Sequence, residues 1–97
     1  MPTYITLLRY TDKGIANMKD SPARLERAKQ AFEAAGGEMK AFYLTIGQYD
    51  AVSISEAPSD EVYTSTMIGI AAGGAVHTET LRAFTEDEYR EIVAALP

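Results

Sequence analysis

The chain has 97 residues, 46% hydrophobic and 24% charged, ordinary values for one globular domain built on a single core. Fourteen acidic against nine basic residues leave a formal charge of −5, which disfavours nucleic acid as a partner because phosphate binding rests on clustered Lys and Arg. Cysteine is absent, so disulfides, thiolate catalysis and cysteine-ligated zinc or iron–sulfur sites are excluded. No apolar run approaches the ~20 residues of a membrane helix, and the opening Met1-Pro2-Thr3-Tyr4 lacks a signal-like basic segment. A cytoplasmic protein that neither binds nucleic acid nor enters a membrane is the expectation, with residues 1–97 forming one domain.

In chain order, Thr3 to Tyr10 alternates as a strand, with Ile5 and Leu7 on one face and Tyr4, Thr6, Leu8 and Tyr10 on the other. Thr11 to Gly14 is turn-like, and Ile15 and Met18 suggest a short helical turn or an ordered loop. Asp20-Ser21-Pro22 is a helix start, a capping side chain followed by a proline where no amide partner is needed. Leu25, Ala28, Phe32 and Ala35 then form a stripe near the helical period, and Gly36-Gly37 supplies a left-handed cap. Arg24, Arg27 and Lys29 gather on this helix, but acidic residues intersperse them, which reads as a solvated face.

Glu38 to Ile46 and Asp50 to Glu56 form a central hairpin. Phe42, Leu44 and Ile46 make one face of its first strand apolar, and Val52 and Ile54 do the same for the second. Gly47-Gln48 fits the two-residue loop of a type II′ turn, and Asp50 is placed to bond nearby backbone amides. Ser59 caps a second long helix that turns Val62, Tyr63, Met67, Ile70 and Ala71 towards the sheet. Gly69 to Gly74 lacks any phosphate-loop pattern and ends a helix where an anion site needs one to begin, so close packing and a cap account for it. Ala75 to Phe84 is the fourth strand. Thr85 and Glu88 form a capping box, followed by the stripe Tyr89, Ile92, Val93 and Leu96 of a surface helix.

The order β-α-β-β-α-β plus a C-terminal helix is the ferredoxin-like plan, an α+β fold with both long helices on one face of a four-stranded antiparallel sheet. The other face is bare in a single copy. Alternation assigns it Tyr4, Thr6 and Leu8, then Met39, Ala41, Tyr43 and Thr45, then Ser53 and Ser55. Either His77, Glu79 and Leu81 or Thr78, Thr80 and Arg82 complete it. Such a surface is too apolar to stay wet, and the cheapest cover is a second copy, giving a homodimer or higher homo-oligomer with a barrel-like interior.

The segments Tyr4 to Thr11, Ser21-Pro22-Ala23-Arg24, Phe42-Tyr43-Leu44, Gly47-Gln48-Tyr49-Asp50 and Thr78 to Phe84 together resemble the GYD domain family. The family name spells Gly-Tyr-Asp, whereas here Gln48 separates Gly47 from Tyr49. The resemblance runs over nearly the whole chain and implies the dimeric α/β-barrel superfamily, which includes ligand-sensing domains of leucine-responsive-type regulators, cofactor-independent monooxygenases, small isomerases and haem enzymes. Breadth of that order selects no chemistry.

The residues themselves offer a few handles. His77, the only histidine, has no second histidine and no His-x-Glu or Glu-x-x-His spacing around it, so no metal and no cofactor is expected. Tyr43, Tyr49 and Asp50 bring phenols and a carboxylate to the hairpin end, groups able to bind or deprotonate an acidic phenol or enol. Arg9 and Arg82 are candidate carboxylate anchors, although Glu79 and Glu56 are competing partners. The expected ligand site is therefore Tyr43, Thr45, Tyr49, Asp50, His77 and Thr80, on the bare face or at a dimer interface. The leading reading is a small dimeric protein that binds a small organic ligand. Its alternatives are a cofactor-independent monooxygenase-like or isomerase-like enzyme and a purely structural assembly module. A transcription regulator is disfavoured by the charge and by a first strand that starts at Thr3.

Overall fold

A computed structural model describes residues Met1–Pro97. Strand β1 (Thr3–Tyr10) leads through a short helix α1 (Asp12–Ala16) and a 3₁₀ turn into α2 (Ser21–Ala34). Then follow β2 (Glu38–Leu44), β3 (Ala51–Glu56), α3 (Asp60–Ala71), β4 (Val76–Ala83) and α4 (Glu86–Ala94). The sheet order is β2-β3-β1-β4 with every neighbouring pair antiparallel, the ferredoxin-like α+β arrangement.

Local chemistry explains most element ends. Gly36, at φ +86°, and Gly37 close α2 with paired bonds, Gly36 N–H to Glu33 O and Gly37 N–H to Phe32 O. This is the Schellman arrangement that glycine favours. Ser59 Oγ accepts from Val62 N at the start of α3, and Thr85 and Glu88 form the reciprocal capping box of α4. Asp20 differs from expectation: it precedes α2 without a side-chain cap bond, and Pro22 alone marks the start. Gly14 is required by contact, since a Cβ there would lie 2.1 Å from Ala75 O, where the chain after β1 crosses the entry to β4.

Two expected features of the hairpin are revised. β2 ends at Leu44, not Ile46, and the connection is a six-residue loop, residues 45–50, rather than a two-residue turn. Ile46 is fully exposed instead of continuing the apolar face. Gly69 is also not a packing glycine, because a Cβ there would meet nothing within 4 Å.

The larger correction concerns which sheet face the helices cover. Tyr4, Thr6, Ser53 and Ser55 are buried beneath α2 and α3 rather than bare, and Met39 packs against the same core. Tyr4 stacks on Tyr63 of α3 with ring centroids 4.0 Å apart and planes 11° from parallel, and Phe32 of α2 lies 5.9 Å from Tyr63. Cross-strand register then defines the opposite face. Ile5 pairs with Ile54 and Leu81, Leu7 with Val52 and Glu79, Arg9 with His77, Tyr43 with Val52, and Ala41 with Ile54. Of the two alternatives for β4, His77, Glu79 and Leu81 join the bare side. That side is thus aliphatic at its centre, more apolar than the face the alternation had selected.

The Tyr4 hydroxyl donates to Asp60 Oδ1. Burial foremost, then the Asp60 carboxylate, pushes its pKa up from 10.0 to about 12. An unfolded tyrosine ionises first, near pH 10, so this contribution to stability is complete below pH 10 and is lost as pH rises towards 12. Denaturant midpoints are therefore expected to fall over that interval. Tyr4→Phe should cost about 1.5 kcal/mol at neutral pH, the scale of one hydrogen bond to a charged acceptor, and flatten the alkaline loss. An alkaline profile unchanged by Tyr4→Phe would contradict this role.

Candidate functional site

The loop between β2 and β3 holds the chemistry expected at the hairpin end, and the structure engages nearly all of it internally. Asp50 Oδ2 accepts from Tyr10 N at 2.9 Å, while Asp50 N donates to Leu8 O at 2.9 Å. The residue thus clips the loop to the end of β1. Thr45 N donates to Asp50 O at 2.8 Å and Thr45 Oγ1 to Tyr49 O at 2.7 Å, closing the loop upon itself. Arg9 Nε donates to Gln48 O at 3.0 Å, and its guanidinium lies 4.8 Å over the Tyr49 ring. The Tyr49 hydroxyl donates to Glu79 Oε2 at 2.5 Å, and this bond is the main reason its pKa is raised. Gly47, at φ +122°, takes the one backbone conformation in the loop that other residues rarely adopt. The Gly-x-Tyr-Asp segment is thereby a structural clip that ties the β2–β3 loop to β1 and β4.

The remaining expected site residues do not converge. Tyr43 stands on the bare face, 59% exposed. His77 lies on that face opposite Arg9, at the sheet edge formed by β4. Thr80 pairs with Thr6 on the helix side, where its hydroxyl bonds the Tyr63 hydroxyl at 2.9 Å. Arg82 approaches Asp60, its Nε lying 3.7 Å from Oδ1.

A cavity of about 570 Å³ opens elsewhere, between α2, α3 and the helix-covered face of the sheet. Its floor includes Leu8, Phe42 and Ser53, one wall is Leu25 and Ala28 of α2, and the facing wall is Met67 and Ile70 of α3. None of Tyr43, Thr45, Tyr49, Asp50, His77 and Thr80, the residues expected to form a ligand site, lines it. The volume is of the size that encloses small organic ligands, and most of the lining is apolar. Two charged side chains, Arg24 and Arg27, belong to it.

Sequence reasoning passed over this site because its signal is a deficit of bulk distributed over three elements. Ser53 on the sheet, Ala28 and Ala31 on α2, and Ser65 and Gly69 on α3 are all small where larger residues would close the gap. In the sequence, the acidic residues around Arg24 and Arg27 give them the look of a solvated helix face. The two arginines lie three apart on the helix surface that meets the cavity.

Comparison with known proteins agrees with this architecture. Over 84 residues the chain is 34% identical to the glutamine synthetase and cystathionine beta-lyase binding protein of Thermus thermophilus, covering 86% of this chain and 88% of that protein. Its fold is similar to the feast or famine regulatory protein of M. tuberculosis, solved with L-methionine, at a TM-score of 0.64 and 19% identity over 90% of this chain. The chain spans about half that regulator, 54% of its length. It is also similar to the 5-chloro-2-hydroxyhydroquinone dehydrochlorinase of Burkholderia phenoliruptrix, solved with 2,5-dihydroxybenzoquinone. There the TM-score is 0.61 and the identity 15%, over 90% of this chain and 97% of that enzyme. The model of the GYD domain matches residues 4–93, and the chain belongs to the GYD domain family.

Proposed function

We propose that two copies of this chain pair through the bare sheet face and that each holds a small organic ligand in the cavity between α2, α3 and the sheet. The cavity is the observation that carries this reading: its lining is mostly apolar and comes from one chain. Pairing is supported by the aliphatic patch of Ile5, Leu7, Val52, Ile54 and Leu81, which no part of the same chain covers fully. The ligand location differs from the hairpin end, whose polar groups already satisfy one another. An enzyme working through Tyr49 or Asp50 has less support for the same reason, and a module that only assembles would have little use for the cavity.

A second reading, docking onto an enzyme such as glutamine synthetase or cystathionine beta-lyase, is favoured by the Thermus relative. Helix α4 offers a surface for it. Tyr89, Ile92 and Val93 form one apolar stripe and all remain exposed.

Three outcomes test these readings. Tyr43→Asp leaves a single copy intact, because the side chain is exposed there, but buries an unpaired charge in the paired form. Light scattering should report half the wild-type mass, and an unchanged dimer contradicts pairing through this face. The neutral fluorophore N-phenyl-1-naphthylamine should bind once per chain, and Ala28→Trp, which fills the cavity, should reduce its affinity at least about tenfold. Undiminished binding in a folded Ala28→Trp protein contradicts the cavity site. For the second reading, the protein should co-elute with glutamine synthetase in size-exclusion chromatography and lose that association on Ile92→Asp. Separate elution of the wild type removes the reading.

A further inference from the structure

The cavity wall contributed by the first half of α2 carries two arginines, Arg24 and Arg27. Arg24 Nη1 donates to Asn17 O at 3.0 Å. Its Nη2 is shielded from solvent and has no hydrogen-bond partner. Buried guanidinium N–H groups are almost always paired, and an orphaned one costs the desolvation it has undergone. Neither Arg24 nor Arg27 has a carboxylate within 4.0 Å, as is also true of Arg9, Lys13 and Lys19, but only these two line the cavity. No Asp or Glu lines the cavity. In a chain with fourteen acidic and nine basic residues, two arginines without acidic partners on the wall of an apolar cavity form an unneutralised positive end. The rest of the lining, with Leu25, Phe42, Met67 and Ile70, suits a hydrocarbon or aryl body.

We infer that the cavity selects an apolar monocarboxylate, with its carboxylate paired to Arg24, aided by Arg27, and its apolar body lying between α2 and α3. The inference rests on the cavity reading above and adds the chemical class of the ligand. Guanidinium suits the task because its planar fork meets the two oxygens of a carboxylate with parallel hydrogen bonds, and it stays charged throughout the physiological range. Ser21, at the start of the same helix, also lines this end, where the positive end of the helix dipole adds to the preference for an anion.

A matched pair of probes of equal length separates the two claims. Octanoate and 1-octanol are titrated calorimetrically into the full chain at pH 7, in parallel with Arg24→Gln and the double variant Arg24→Gln/Arg27→Gln. Octanoate should bind at least about tenfold more tightly than octanol. Arg24→Gln should remove most of that preference, and the double variant should remove the rest without changing octanol affinity. Equal affinities in the wild type would overturn the carboxylate inference while leaving the cavity as an apolar site. A preference that persists in the double variant would overturn the assignment to these arginines. No binding of either probe would overturn the cavity reading itself. Circular dichroism on each variant checks that the fold is retained, and Arg24→Lys serves as a second variant: it should keep part of the preference, since the charge remains without the fork.

Discussion

Tyr4 and Tyr63 are the contact on which the arrangement of this protein turns. One sits on β1, next to the centre of the sheet, the other on α3, and their rings stack 4.0 Å apart over the middle of the molecule. Such a pair contributes about 0.5–1.5 kcal/mol beyond the area it buries. Its hydroxyls add direction. Tyr4 donates to Asp60 at the head of α3, while the Tyr63 hydroxyl bonds those of Thr6 and Thr80 across β1 and β4. A helix of weak intrinsic propensity, rich in Thr, Ser and Gly, is thereby seated on one chosen face of the sheet.

Seating α3 on that face has two consequences. The residues beneath the helices are tyrosines and small hydroxyl-bearing side chains, so packing is dense around Phe32 and Tyr63 and sparse beyond Ser53, where the cavity opens. The strictly aliphatic residues Ile5, Leu7, Val52 and Ile54 are left on the far side, together with Tyr43 and Leu81. The small hydroxyl-bearing residues are inside and the aliphatic centre of the opposite face is bare. That inversion makes little physical sense for an isolated copy and much for one member of a pair.

Local features were legible in the sequence because their causes lie within a few residues. Ser59, the Thr85–Glu88 box and Gly36-Gly37 each end or begin a helix through bonds to near neighbours, and the order of strands and helices follows from them. Alternation along β1 also separated Ile5 and Leu7 correctly from Tyr4 and Thr6. It could not say which set the helices would cover, because that depends on a tyrosine nearly sixty residues away. Polarity misled here: Thr6, Ser53 and Ser55 look like solvent-facing residues, yet their small size is what admits Phe32 and Tyr63. The cavity was hidden for a related reason, since no single residue produces it. Asp50 was correctly placed as a binder of backbone amides, but its partner is Tyr10, forty residues earlier, not its own turn.

The central claim is that the aliphatic face is covered in solution by a second copy, leaving the helix-side cavity as the accessible interior. Methyl NMR in the presence of a soluble paramagnetic agent tests this directly, with Ile46 as an internal standard because its side chain is fully exposed. The account predicts that the methyl groups of Ile5, Leu7, Val52 and Ile54 retain their signals while that of Ile46 is bleached. Bleaching of all five to the same extent would contradict it.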